Sequence, residues 1–191
     1  GNNEKGQLGS NIPADSFTPT PVYLVGRFVD VAIVSFFRNG HHGGHGCAVR
    51  EDGAIFCWGA NESGQVAQFP EPILWLPSHQ AGADWARVTV SMHGGFGLSC
   101  ATKKTGEASC WGSATVGWAF GSDMSQEHVV PTPIGTGMKW KSLDLSPERT
   151  CGISRDGKAY CWGGLVPGEA IIHHPTLLRG QAPSYDPSPD D

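Results

Sequence analysis

Three pairs of cysteines stand ten positions apart: Cys47 and Cys57, Cys100 and Cys110, Cys151 and Cys161. Each second cysteine is followed by Trp-Gly, as Trp58-Gly59, Trp111-Gly112 and Trp162-Gly163. No other cysteine exists in the chain. Such thiols could bridge, stay free and buried, or hold zinc. Zinc sites usually space their cysteines by roughly two to four residues, a spacing absent here. Bridged pairs would leave no thiol for a Cys-His nucleophile. They would also belong to an oxidising compartment, so the expected location is extracellular or at the cell surface.

The histidines offer a second chemistry. His41-His42-Gly43-Gly44-His45 puts three imidazoles within five residues, a set zinc or copper would accept. The competing reading is a solvated insertion loop, because glycine-rich segments make loose ligand frames. His173-His174 has the same ambiguity. No metal and no cofactor is assigned. Catalysis finds no constellation. Asp30, Glu71, Asp84 and Asp144 are scattered, no serine sits in a nucleophile elbow, and His93-Gly94-Gly95 resembles an oxyanion loop without a nucleophile. The chain is read as not an enzyme.

The element that must position the cysteines is a hairpin. In Cys47–Trp58, short apolar runs flank Asp52-Gly53, a strong local turn signal. A three-residue loop Glu51-Asp52-Gly53, with Gly53 at positive φ, sets Val49 opposite Ile55 and Cys47 opposite Cys57. The same register at Gly106 pairs Cys100 with Cys110, and at Gly157 pairs Cys151 with Cys161. Opposed cysteines of the closer, non-hydrogen-bonded type suit a disulfide. Alternation puts Cys47, Val49, Ile55 and Cys57 on one face and Ala48, Arg50, Ala54, Phe56 and Trp58 on the other. Apolar groups on both faces require cover on both sides. In the second unit Lys103 should face Glu107 as a rim ion pair. Trp75, Trp85, Trp118 and Trp140 lie outside the hairpins, to pack between sheets or to form a contact surface.

Between the hairpins, Val29 to Val34, Val88-Thr89-Val90 and Leu143-Asp144-Leu145 alternate as strands. Pro21-Val22, Pro72-Ile73, Pro133-Ile134 and Pro175-Thr176-Leu177 read as linkers. No helical period is evident. Glycine supplies 27 of 191 residues, suiting turn-rich β structure. A formal charge of −5 disfavours nucleic acid and anionic membranes. The apolar run from Phe28 to Phe37 is too short to cross a bilayer. Asn61-Glu62-Ser63 is a sequon, so Asn61 is a glycosylation candidate. Residues 181–191 are rich in Pro, Ser and Asp and read as a linker or tail.

The cysteine units repeat at intervals of 53 and 51 residues, a period of solenoids and propellers. Gly1–Gly9 aligns with Gly59–Ala67 at five identical positions of nine. Together with Gly43-Gly44-His45-Gly46-Cys47-Ala48-Val49, Asp52-Gly53, Trp58-Gly59 and Gly64-Gln65-Val66, this resembles the regulator-of-chromosome-condensation repeat. The third unit matches through Thr150-Cys151-Gly152-Ile153, Asp156-Gly157 and Trp162-Gly163. His45, Gly53, Trp58, Gly59, Gly106, Trp111, Gly112, Gly157, Trp162 and Gly163 are then structural repeat positions. Leu98 and Arg149 stand where His45 does, and Trp118 where Gln65 does, so the later units depart from the pattern. The doubled cysteine resembles a secreted branch that includes a bacterial β-lactamase inhibitor protein.

The resemblance implies an all-β, seven-bladed propeller of four-stranded blades. The expected division is the end of a preceding repeat at 1–9, repeats at 10–68, 69–120 and 121–168, and the start of another plus the tail at 169–191. That is about three and a half blades, a fragment of a longer propeller or a half that pairs with another chain. The expected function is a non-enzymatic extracellular module that binds other protein chains, the rest of a propeller among them, without nucleic acid or membrane insertion. An enzyme inhibitor, a nucleotide-exchange factor for a small GTPase and a metal- or glycan-binding lectin-like protein are the alternatives.

Overall fold

The computed structural model describes residues 1–38, 41–66, 71–93, 96–113, 120, 128–146, 149–164 and 172–178. Among the described residues, twelve strands form three four-stranded antiparallel sheets, each a simple meander. Blade 1 holds β1 (Phe28–Arg38), β2 (His41–Arg50), β3 (Ile55–Ala60) and β4 (Ile73–His79). Blade 2 holds β5 (Trp85–His93), β6 (Phe96–Lys103), β7 (Ala108–Gly112) and β8 (His128–Ile134). Blade 3 holds β9 (Trp140–Leu145), β10 (Arg149–Ser154), β11 (Ala159–Gly163) and β12 (Ile172–Leu177). The described residues contain no helix long and apolar enough to cross a membrane.

The central hairpin of every blade has the register expected from its turn glycine. Cys47 faces Cys57 with Val49 opposite Ile55. Cys100 faces Cys110, and Cys151 faces Cys161. The backbone of Gly53 is at φ +88°, Gly106 at +96° and Gly157 at +83°, a region costly to a residue with a Cβ.

Two sequence expectations need correction. The Pro-bearing segments after each hairpin are not linkers. Pro77, Pro131, Pro133 and Pro175 lie within the fourth strands β4, β8 and β12. These strands sit at a sheet edge, where a residue lacking an N–H costs no ladder bond. Each blade therefore completes itself with residues beyond 68, 120 and 168. Nor do His41 and His42 lie in a glycine-rich loop. They begin β2, paired with Arg38 and Phe37 of β1. Glycine at 43, 44 and 46 is required by close packing rather than by flexibility: a Cβ at Gly43 would lie 2.1 Å from the Phe36 ring, and one at Gly46 2.8 Å from Trp58.

Neighbouring blades stack face to face. Cys47, Val49, Ile55 and Cys57 of blade 1 share a core with Trp85, Val88 and Val90 of β5 and with Trp111. Leu98, Cys100 and Cys110 of blade 2 share the next with Trp140, Leu145 and Trp162. Among the described residues, the outward face of β1 lacks such cover. Val31 and Ile33 of β1 occupy the register of Val88 and Val90 of β5. The first pair is 66% and 60% exposed, the second 8% and 9%.

Candidate functional site

Each blade's turn is tied to the blade that follows. Trp85 donates its backbone N–H to Gly53 O at 3.0 Å, and Trp140 donates to Gly106 O at 2.7 Å. Side chains add a second tie at equivalent turn positions: Lys104 Nζ reaches Glu51 O, and Arg155 Nη2 reaches Lys104 O. Asp30, one of the scattered carboxylates, accepts the Val88 N–H at 2.9 Å. Its role is thus a bridge between blades 1 and 2.

The disulfides lie between the faces. Cys47–Cys57, Cys100–Cys110 and Cys151–Cys161 have Cα separations of 4.0, 4.0 and 4.1 Å. The first two are sealed within the interblade cores, while Cys151 and Cys161 are only half-buried.

The segment after Trp58-Gly59 is a stapled loop. Asn61 Nδ2 donates to Glu71 O at 3.0 Å, its Oδ1 accepts from Val66 N at 3.0 Å, and Gln65 Oε1 accepts from Ser63 N at 2.9 Å. Residues 1–9 build the same staple. Asn3 Nδ2 donates to Ile12 O, Asn3 Oδ1 accepts from Leu8 N at 2.9 Å, and Gln7 Oε1 accepts from Lys5 N at 2.8 Å. The alignment of 1–9 with 59–67 is therefore a likeness of structure as well as of sequence. Each loop presses on the blade behind it: Gln7 O accepts from Trp58 Nε1 at 2.9 Å, and Gln65 O accepts from Ser99 Oγ at 2.9 Å. Asn61 is 5% exposed, and its amide is spent on this staple. A glycan on Nδ2 would displace the bond to Glu71, which counts against the sequon reading.

His45 is sealed between blades 1 and 2, with Nε2 3.0 Å from Ser99 Oγ. Burial pushes its pKa down to about 3, against a weak opposing effect from the Leu98 main chain, so the ring is neutral. His42 lies an odd number of positions away on the same strand, hence on the opposite face. Its ring packs against Phe37 with centroids 4.6 Å apart, and its N–H donates to Glu4. His42 and His45 therefore do not converge, and no cluster of three metal-ligating side chains exists among the described residues. His174 is exposed on β12.

Charged groups gather at the turns. Arg50 lies over the Phe56 ring at 5.0 Å and binds Asp52 at 2.7 Å. This bond, with the Ala54 N–H, holds the Asp52 carboxyl at about 2. The expected Lys103–Glu107 ion pair does not form. The Lys103 ammonium sits over Trp85 at 5.4 Å, where the ring face attracts it. Glu107 instead binds Lys139 of the next blade and the Thr105 hydroxyl, which hold its carboxyl at about 2. The other ion pairs of the described residues, Lys5–Glu62, Arg27–Glu51 and Lys158–Asp156, are solvent-accessible.

Trp85 and Trp140 are buried between blades, Trp75 is half-buried, and Trp118 lies outside the described residues, as do Gly94-Gly95 and the tail. Ser99 was not singled out by sequence reasoning, and Asp30 was weighed only as a scattered carboxylate without a motif. Ser99 precedes a cysteine where the other units have Gly46 and Thr150, and nothing in that variation signals a buried hub.

A family model described as the regulator of chromosome condensation (RCC1) repeat matches residues 43–65, from the buried start of β2 through the disulfide hairpin to the stapled loop. The fold is similar to human WBSCR16, with 18% identity, TM-score 0.71, and coverage of 94% of this chain and 46% of that one. It is also similar to yeast RCC1 (Prp20) in its complex with Kap60, at 19% identity, TM-score 0.66, and 96% and 44% coverage. Prp20p from Saccharomyces cerevisiae, described with its binding to Gsp1p and histones, matches at 20% identity, TM-score 0.56, and 73% and 37% coverage. The chain spans less than half the length of these proteins. Blades, registers and repeat match agree: this is a partial β-propeller of the RCC1-like fold, carrying a regulator-of-chromosome-condensation repeat at residues 43–65.

Proposed function

We propose that the chain is a non-enzymatic, extracellular β-propeller module that binds another protein chain, using its blade-end loops and the open faces of its first and third blades. The observation that carries this reading is the contrast between Val31 and Ile33, well exposed, and Val88 and Val90, covered by a neighbouring blade. An apolar stripe of this kind marks a contact surface. A further propeller segment is one partner it would suit. The extracellular assignment rests on the three disulfides, which persist in oxidising compartments. The formal charge of −5 disfavours nucleic acid as a partner and suits a basic protein.

Light scattering after size exclusion, on the chain alone and with candidate partners, tests the binding reading. Association that is lost in a Val31→Asp, Ile33→Asp variant with native β signal supports it. A compact monomer that captures no partner through this face contradicts it. Nucleotide exchange on a small GTPase is the second reading, favoured by the fold likeness to yeast RCC1 and opposed by the disulfides. Release of labelled nucleotide from a GTPase by the oxidised chain would replace the first reading with this one. Loss of hydrolase activity on titration would do the same for a β-lactamase-inhibitor-like role.

A further inference from the structure

His45 is fully buried in the seam between blades 1 and 2. Ser99 donates its hydroxyl hydrogen to Gln65 O, so Ser99 Oγ accepts from His45 Nε2 at 3.0 Å. The proton of the neutral ring therefore sits on Nε2. A second proton would go to Nδ1, which has no hydrogen-bond partner among the described residues. The groups around the ring are uncharged. Val34 and Gly59 flank His45 in its own sheet, Gln65 comes from the stapled loop, Leu98 and Ser99 come from β6, and β5 lines the seam with Val88 and Val90. Burial and the Leu98 main chain, not a charged side chain, set the ring's proton affinity. The charged groups of this seam serve other contacts: Asp30 holds the Val88 N–H, Lys103 lies over Trp85, Lys104 reaches Glu51 O, and Glu62 pairs with Lys5. Leu98 takes His45's place one blade on. It pairs with Gly112 as His45 pairs with Gly59, and it lies in the core between blades 2 and 3. His128 stands at that second seam, half-buried beside Phe120.

We propose that the seam between blades 1 and 2 is an acid-opened joint, latched by the neutral His45 ring on Ser99, while the seam between blades 2 and 3 stays closed. An imidazolium sealed in without an acceptor is costly. The ring therefore takes its second proton only when the seam parts and water reaches Nδ1. Acid favours the parted state, which uncovers Val49, Ile55, Val88 and Val90. Stacked repeats contact mainly their neighbours, so one seam can part while the next holds.

Hydrogen exchange at single amides, followed by NMR at pH 7 and pH 5 and corrected for the chemical exchange rate, tests the joint. Trp85 and Val88 report the first seam, because their N–H groups donate across it to Gly53 O and Asp30. Trp140 reports the second through Gly106 O. The ring titrates at about 3 when sealed, against an ordinary 6.5 when parted. Opening at Trp85 and Val88 should therefore rise up to about 25-fold from pH 7 to pH 5, with little rise at Trp140. His45→Leu, which copies the second seam, should abolish the rise. Asp30→Asn, which removes a carboxylate from the seam and keeps the ring, should retain it at Trp85. An equal rise at Trp140 would make the response global and overturn the joint, as would no rise at Trp85. A rise that survives in His45→Leu, or disappears in Asp30→Asn, would overturn the role of His45.

Discussion

The backbone N–H of Trp85 donates to the carbonyl of Gly53, so the first strand of blade 2 hangs from the hairpin turn of blade 1. Trp140 and Gly106 repeat the bond between blades 2 and 3. The turn glycine thus serves two purposes: it closes its own hairpin at positive φ, and it leaves room for the next blade to approach. A Cβ on Gly53 would lie 2.8 Å from Asp84 Cα, while one on Gly157 would meet nothing within 4 Å.

That difference separates backbone strain from interblade contact. Gly157→Ala should lower stability by about 1–2 kcal/mol, the cost of a left-handed residue with a Cβ. Gly53→Ala carries the same strain plus the clash with Asp84, so it should cost more. Chemical denaturation of the two variants checks this. Equal losses would mean that the turn does not support the following blade.

Trp58 and Trp111 hold the same repeat position but differ in polar contact. Trp58 Nε1 donates to Gln7 O, whereas Trp111 Nε1 has no partner among the described residues. Both substitutions with Phe remove ring volume, and only the first removes a hydrogen bond. Trp58→Phe should therefore be more destabilising than Trp111→Phe by about 1 kcal/mol. Thermal or urea unfolding of both variants measures the gap.

His45 makes the fold sensitive to mild acid. Its folded pKa of about 3 lies below the ordinary 6.5. The unfolded chain therefore binds a proton that the folded chain refuses. His45 contributes stability above pH 6.5 that is lost progressively as pH falls toward 3, with a limiting slope of about 1.4 kcal/mol per pH unit. Asp52 and Glu107, both held at about 2, add losses only below the ordinary carboxylate range. Between pH 6.5 and 5 the slope should belong to His45. Urea titrations across that window should flatten in His45→Gln. An unchanged slope would show that the buried ring is not the sensor.

Asn61 is predicted to act as a loop staple rather than as a surface sequon. Asn61→Ala removes its bonds with Glu71 and Val66 and should cost about 1–3 kcal/mol. A change within 0.5 kcal/mol, about what an exposed surface site shows, would restore the sequon as its main significance. Asn3→Ala offers an internal control, because Asn3 makes the same pair of loop bonds.

The hairpins were legible because two local signals agreed. Asp-Gly or its equivalent marked the turn, and cysteine, valine and isoleucine alternated outward from it, leaving one register. The likeness of Gly1–Gly9 to Gly59–Ala67 was legible, and two of its five identities, Asn3 with Asn61 and Gln7 with Gln65, are the residues whose side chains make the loop bonds. The fourth strands were hidden by Pro77, Pro131, Pro133 and Pro175, since proline ordinarily argues against strand and is tolerated only at an edge. His42 was misread because glycine at 43, 44 and 46 suggests a loop when neighbouring Phe36 and Trp58 cannot be seen. The Lys103–Glu107 pair failed for a similar reason. Adjacency within one hairpin was visible, while Trp85 and Lys139, the partners from outside it, were not.

Peptide mapping of the protein after acid quench and alkylation, without reduction, tests the central claim most directly. The account predicts three linked peptide pairs, Cys47–Cys57, Cys100–Cys110 and Cys151–Cys161, with no alkylated cysteine. Free thiols in the folded protein, or links between different hairpins, would contradict both the disulfide-clamped blades and the extracellular function built on them.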